Sequence, residues 1–241
     1  MVSVVLVASV VAVASAQQDG GTGTPGTAAA VASSAMDLHE AQAIDEMLRG
    51  PAKRARRWMQ QPRLVVVTSV LEFRDRNQAR YEATGLRLAE QDAAALAADL
   101  SAGLEMLTAG AFTGFASVRM EHVSTGASVS VVRPGDIVAG RFRGVRDRLD
   151  AVGYGGRTTR SDGTITSGVV MLDEQYDRED SGRRLLRTHE LGHALGYNHV
   201  ESQRSIMNAV LGVEPTEFDR RVAQIAFRHL VPGRLRLLVK Q

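Results

Sequence analysis

The chain reads as an α+β (mixed α/β) domain, and three observations give that class. Residues 64–71 form a β-branched run bounded by Pro62 and are strand-like. Leu96, Leu100, Leu104 and Leu107 recur on one face of a helical pattern over 88–107. Further short strand candidates at 115–121, 128–132 and 164–172 then lead into a second helical pattern over 183–195.

Before that domain the sequence changes character twice. Residues 2–14 are a nearly unbroken run of Val, Leu, Ala and Ser ending in Ala14-Ser15-Ala16, a small-x-small cleavage pattern. Residues 1–16 are therefore expected to be a signal peptide cut after Ala16, which places the mature chain outside the cytoplasm, secreted or extracytoplasmic. The run is short for a membrane span and leads into polar Gln17-Gln18-Asp19, so no stable span is expected after cleavage. No Lys or Arg precedes the apolar core, which leaves two alternatives, a true start slightly upstream or an uncleaved anchor. Residues 17–35 are Gly, Thr and other small residues with too little apolar bulk to offset ordering entropy, and read as a flexible linker.

Over 36–61, Met36, Leu38, Ile44, Met47 and Leu48 suit a short amphipathic helix, followed by the basic cluster Lys53-Arg54-Ala55-Arg56-Arg57. The segment reads either as a propeptide with a cleavable basic junction or as a helical extension with a solvated end. Residues 62–241 are long enough to bury a substantial core as one domain. Near its end, residues 208–215 form a loop closing at Pro215. Thr216-Glu217-Phe218-Asp219 then reads as a capping box, opening a helix to about His229 with Phe218, Val222, Ile225 and Ala226 on its buried side.

The chemistry is concentrated in His189-Glu190-Leu191-Gly192-His193-Ala194-Leu195-Gly196-Tyr197-Asn198-His199. On a helix, His189 and His193 lie four apart on one face, so both rings can reach one metal ion. Glu190 follows the first ligand and points partly round the helix, where it can hold a water instead of coordinating, the position of a general base. Gly196 offers a positive φ at low steric cost, ending the helix so that His199 can swing back as a third ligand. Given this composition, a chance match to the five fixed positions is on the order of 10⁻⁵, which favours a metal site over an accidental helix pattern. Three nitrogen ligands with an open fourth position describe a catalytic zinc site; a closed structural site takes four ligands, usually with Cys, and the chain has none.

This extended motif resembles that of the metzincin zinc peptidases. Ser205-Ile206-Met207-Asn208 follows, with Met207 eight positions after His199. That short spacing and the Leu-Gly-His-Ala-Leu-Gly core around His193 look like matrixins, the matrix-metalloprotease-like branch. Val200 stands where animal matrixins usually carry Ser, and Ala209 where they carry Pro. No Tyr follows Met207 by two positions, so the extra tyrosine ligand of astacins and serralysins has no counterpart. The specific likeness covers about residues 185–210; elsewhere only the order of elements matches.

The resemblance implies a twisted mixed sheet above a cleft, a backing helix, a zinc-binding active-site helix, a turn that places Met207 beneath the metal, and a C-terminal helix. It also implies that Asn208, Ala209, Val210, Leu211 and Gly212 shape specificity. Substrate would add as an extended strand to a sheet edge, near which the Gly-, Thr- and Arg-rich residues 152–163 could lie. The cysteine switch of many matrixins cannot operate without Cys, and whether His39 blocks the metal instead is open.

Other groups carry less. His122 and His229 read as structural or exposed rather than as ligands. Asp173, Glu174, Asp177, Glu179 and Asp180 could bind Ca²⁺, as many matrixins do, but lack an EF-hand pattern, and a solvated, helix-capping role fits them better. With 29 basic against 27 acidic residues and 5 % aromatics, neither a nucleic-acid groove nor a stacking platform is indicated. The functional reading is an exported zinc endopeptidase acting on a peptide or protein substrate. The alternatives are a catalytically silent zinc protein that binds peptides and a structural protein cross-linked by zinc. Oligomeric state leaves no mark in the sequence.

Overall fold

A computed structural model describes residues 38–51, 53–178 and 182–230. The expected signal peptide, the linker, Met36, Glu179 and Asp180 lie outside the described residues. The elements in chain order are α1 (Leu38–Arg49), β1 (Arg63–Glu72), β2 (Arg80–Arg87), α2 (Glu90–Leu107), β3 (Val118–Glu121), β4 (Ser128–Ser130), β5 (Asp136–Arg143), α3 (Val145–Leu149), β6 (Gly153–Thr159), β7 (Ile165–Asp173), α4 (Arg183–Leu195) and α5 (Glu217–Phe227).

The strands form one mixed sheet in the order β4-β2-β1-β5-β7-β6, with β3 also on β1. β1 runs parallel to β3 and β5, β5 parallel to β7, and β6 antiparallel to β7. One side of β1 is shared: Leu64, Val65, Val66 and Val67 pair with β3, then Ser69 and Leu71 with β2, across a break in register. β1 reads as a continuous apolar run because both sheet faces are covered. Leu64, Val66 and Val70 join the core under the helices, whereas Val65, Val67 and Leu71 join a second cluster with Tyr81, Phe142 and Tyr154.

β1, α2, β7, α4 and α5 lie close to the bounds the sequence predicts; β2, β5 and β6 have no counterpart among the expected strands, and β3 and β4 are shorter than expected. β6 has none because Gly153, Gly155 and Gly156 give no β-branched signal, and its order comes from pairing with β7. On α5, Phe218, Val222, Ala223 and Phe227 are buried, but Ile225 is 36 % exposed, so the apolar stripe lies one position from that expected.

Residues 38–51 and 53–61 contribute to the same core as the rest. Ala43, Ile44, Met47 and Trp58 are buried in the cluster that holds Leu100, Leu191 and Met207, while Leu38 is exposed. The side chains of Lys53, Arg54 and Arg57 are exposed as expected of a solvated end. The backbone at Arg57 is not: it donates to Gly163 O and accepts from Ile165 N.

A correction concerns the acidic stretch before α4. Asp173, Glu174 and Asp177 are buried, not solvated, because arginine side chains meet Glu174 and Asp177 and backbone N–H groups meet Asp173. Asp177 binds Arg141 (2.8 Å) and Arg187 (2.7 Å), and those two guanidinium groups also reach Asp92 and Asp99. Glu174 pairs with Arg143 and Arg178, and Asp173 accepts from the backbone of Gln175 and Tyr176.

Candidate metal centre

Helix α4 presents His189 and His193 one turn apart and ends as the sequence requires. Gly196, at φ +119°, donates to His193 O while Tyr197 N donates to Gly192 O, a Schellman closure. A Cβ at residue 196 would collide with Arg56 O, so glycine is required by packing as well as by conformation. The chain then turns back and brings His199 to the other two rings.

The three Nε2 atoms lie 3.1–3.2 Å apart. Nδ1 of His189 is 2.7 Å from Ile206 O, and Nδ1 of His193 is 3.0 Å from Tyr197 O. A carbonyl only accepts, so these Nδ1 atoms carry the protons and the facing Nε2 atoms present lone pairs. Lone pairs in this arrangement repel unless a cation sits among them. A tetrahedral ion with bonds of about 2.05 Å spaces its ligands by about 3.3 Å, close to what is seen, so the residues fit a metal. Burial drives the histidine pKa values down, to about 3 for His189 and about 4 for His199, so the rings are neutral and ready to coordinate at neutral pH. His193 is likewise pushed well below its usual range, by burial and then by its histidine neighbours.

Glu190 is fully buried, and neither carboxylate oxygen has a hydrogen-bond partner among the described residues. Burial raises its pKa well above the ordinary carboxylate range. Strand β6 covers it. A Cβ at Gly153 would come within 2.6 Å of Glu190 Oε1, and one at Gly155 would collide with Glu190 O and meet His193 Cβ at 2.6 Å. The glycines that hid β6 from a sequence reading are what let its backbone lie on α4.

After His199, Ser205-Ile206-Met207-Asn208 forms a turn closed by Asn208 N to Ser205 O (3.1 Å). Met207 is buried, with its sulfur filling the space that a side chain at Gly192 would need. Ile206 supplies the carbonyl that orients His189. Asn208 ties the loop together through Val200 O and Gln203 O (2.6 and 2.8 Å). Beyond it Ala209 and Leu211 are half-buried and Val210 and Gly212 exposed.

Three contributors were not singled out from sequence. Asp219 binds Ser205 Oγ, Ile206 N and Thr216 N, so the capping box also anchors the turn under His189. Buried Arg157 donates to His193 O (2.6 Å), Tyr197 O (3.3 Å) and Asn198 Oδ1 (3.1 Å). Burial and Arg56 lower its pKa to about 9, so it remains cationic and faces the negative end of α4. Asn198 is the third; only Asp219 had a local signal. His122 is exposed, with Nδ1 3.1 Å from Ser69 Oγ, and His39 Nδ1 lies 3.2 Å from Gln203 Nε2; neither belongs to the cluster. His229 falls in the short 3₁₀ turn Arg228–Leu230.

Fold and site together define a mixed α/β domain with a three-histidine group able to hold a metal ion. No model of a known protein family matches the chain, and no curated protein matches it by sequence. No helix among the described residues is long and apolar enough to cross a membrane.

Proposed function

We propose that the protein is an exported, zinc-dependent endopeptidase of the matrixin-like metzincin type, with Glu190 as its general base. One observation carries this reading: three Nε2 atoms converge at 3.1–3.2 Å, and the residue after the first ligand, on the same helix, is a carboxylate. Three neutral imidazoles suit zinc and leave a coordination position for chemistry. Zinc held by His189, His193 and His199 would supply Lewis acidity, acidifying water to a pKa of roughly 7 and polarising a peptide carbonyl. Glu190 would take the proton of the attacking water on a carboxylate oxygen and return it to the leaving amine. β6, the edge strand lying on α4, is the edge that an extended substrate would join. Export rests on the apolar run 2–14 and Ala14-Ser15-Ala16; amino-terminal sequencing of the mature protein tests it.

The enclosure of both Glu190 oxygens favours a second reading, a zinc protein that binds peptides without cutting them. A mixed peptide library separates the two, with zinc content assayed in protein starting at residue 17. Under the first reading the wild type cleaves, and Glu190→Gln keeps its zinc while losing about 10²–10⁴-fold in rate. Stoichiometric zinc with no cleavage by the wild type would sink the peptidase and leave the binding protein.

A further inference from the structure

We propose that Asn198 is a positioning residue through which helix α1 holds the metal loop, making residues 38–51 an activating brace of the site and not a removable inhibitor. The proposal rests on the reading of the three histidines as a metal site. The last carbonyls of a helix lack partners within it. In α1 one of these, Met47 O, accepts from both Asn198 N (2.8 Å) and Asn198 Nδ2 (3.0 Å). The remaining polar atom of that amide, Oδ1, accepts from Arg157, which also grips His193 O and Tyr197 O. Asn198 is buried, so every polar atom of its side chain is used, and it immediately precedes His199.

The residue before Met47 holds the other flank of His199. Glu46 accepts from Glu201 N (3.4 Å) and Ser202 Oγ (3.1 Å). Two consecutive residues of α1 thus bracket the loop from 198 to 202. Gly50, at φ +54°, closes over the Asn198 amide, where a Cβ would meet Cγ at 2.7 Å. No residue of α1 enters the histidine cluster. Its contacts therefore tighten the ligand loop and leave the metal-facing nitrogens clear, the opposite of what an inhibitory segment does.

Hydrogen-bonding partners behind metal ligands typically matter 10–100-fold in affinity. The test uses the mature chain loaded with zinc or cobalt(II), with metal release to a chelator, the cobalt visible spectrum and thermal stability all recorded. Asn198→Ala should release metal about 10–100-fold faster and alter the cobalt spectrum. Glu46→Ala, at an exposed side chain, should change both in the same direction by a smaller factor. An inhibitory α1 predicts the reverse sign, tighter or more reactive metal when the bracket is loosened. Release rates within about twofold of wild type in Glu46→Ala, or lower thermal stability with an unchanged cobalt spectrum, overturn the brace while the metal site stands. A wild type that takes up neither ion overturns both.

Discussion

At the scale of single residues, the molecule places unpaired polar atoms beside its candidate site. Tyr154 is buried on the face of β6 away from α4, and its hydroxyl has no hydrogen-bond partner among the described residues. Burial raises its pKa to about 12, from an ordinary value near 10. A raised acid stabilises the fold fully below the unfolded pKa and loses that contribution as pH climbs through the folded one. Tyr154 therefore contributes below about pH 10, and the contribution fades between about pH 10 and 12. Tyr154→Phe should remove that alkaline loss and leave neutral stability unchanged or higher by up to about 1 kcal/mol, since no bond is broken. Urea denaturation at pH 7 and pH 11 checks it; a loss above about 2 kcal/mol at pH 7 would reveal a partner for the hydroxyl. The three histidines that could hold a metal are legible because their spacing is local. Asn198 and Arg157 are not, since their roles exist only once Met47, β6 and the end of α4 meet.

At the scale of elements, charge does what apolar packing does elsewhere. Arg141 on β5 and Arg187 on α4 converge on Asp177, and α2 adds Asp92 and Asp99, joining the sheet to both long helices. Removing one member of a buried ionic group strands the others, so Asp177→Ala should cost about 3–5 kcal/mol by urea denaturation. With these carboxylates already matched by guanidinium groups, millimolar calcium should leave the wild-type melting temperature unchanged. A rise of several degrees would show that arginine does not satisfy them. The sequence revealed the acidic cluster but not its fate, because the arginines that bury it lie up to 36 residues away. Regular elements with strong periodicity, α2 and α4 above all, were readable. Strands ordered by neighbours, β2, β5 and β6, were not.

At the scale of the whole molecule, the histidine cluster ties together α4, the turn at 205–208 and the loop braced by α1, so a bound ion would stabilise all of them. A ligand that binds only the folded state adds about 2.7 kcal/mol at a hundredfold excess over its Kd. For a domain of this size that is about 5–10 °C in melting temperature. Chelation should lower the melting temperature by that amount and zinc should restore it, with Glu190→Gln responding like wild type and His199→Ala not responding. An unchanged wild type under chelation would argue against a bound ion.

The brace on the metal loop also has a place in time. Met47 waits for a partner 151 residues further along the chain, and Glu40 for Arg221, 181 residues away. Closing such long loops costs entropy and slows folding. During synthesis α1 emerges first and has nothing to grip until almost the whole domain has been made. The loop bearing His199 gains that hold only then, so a chain shorter than the domain carries the motif without the brace.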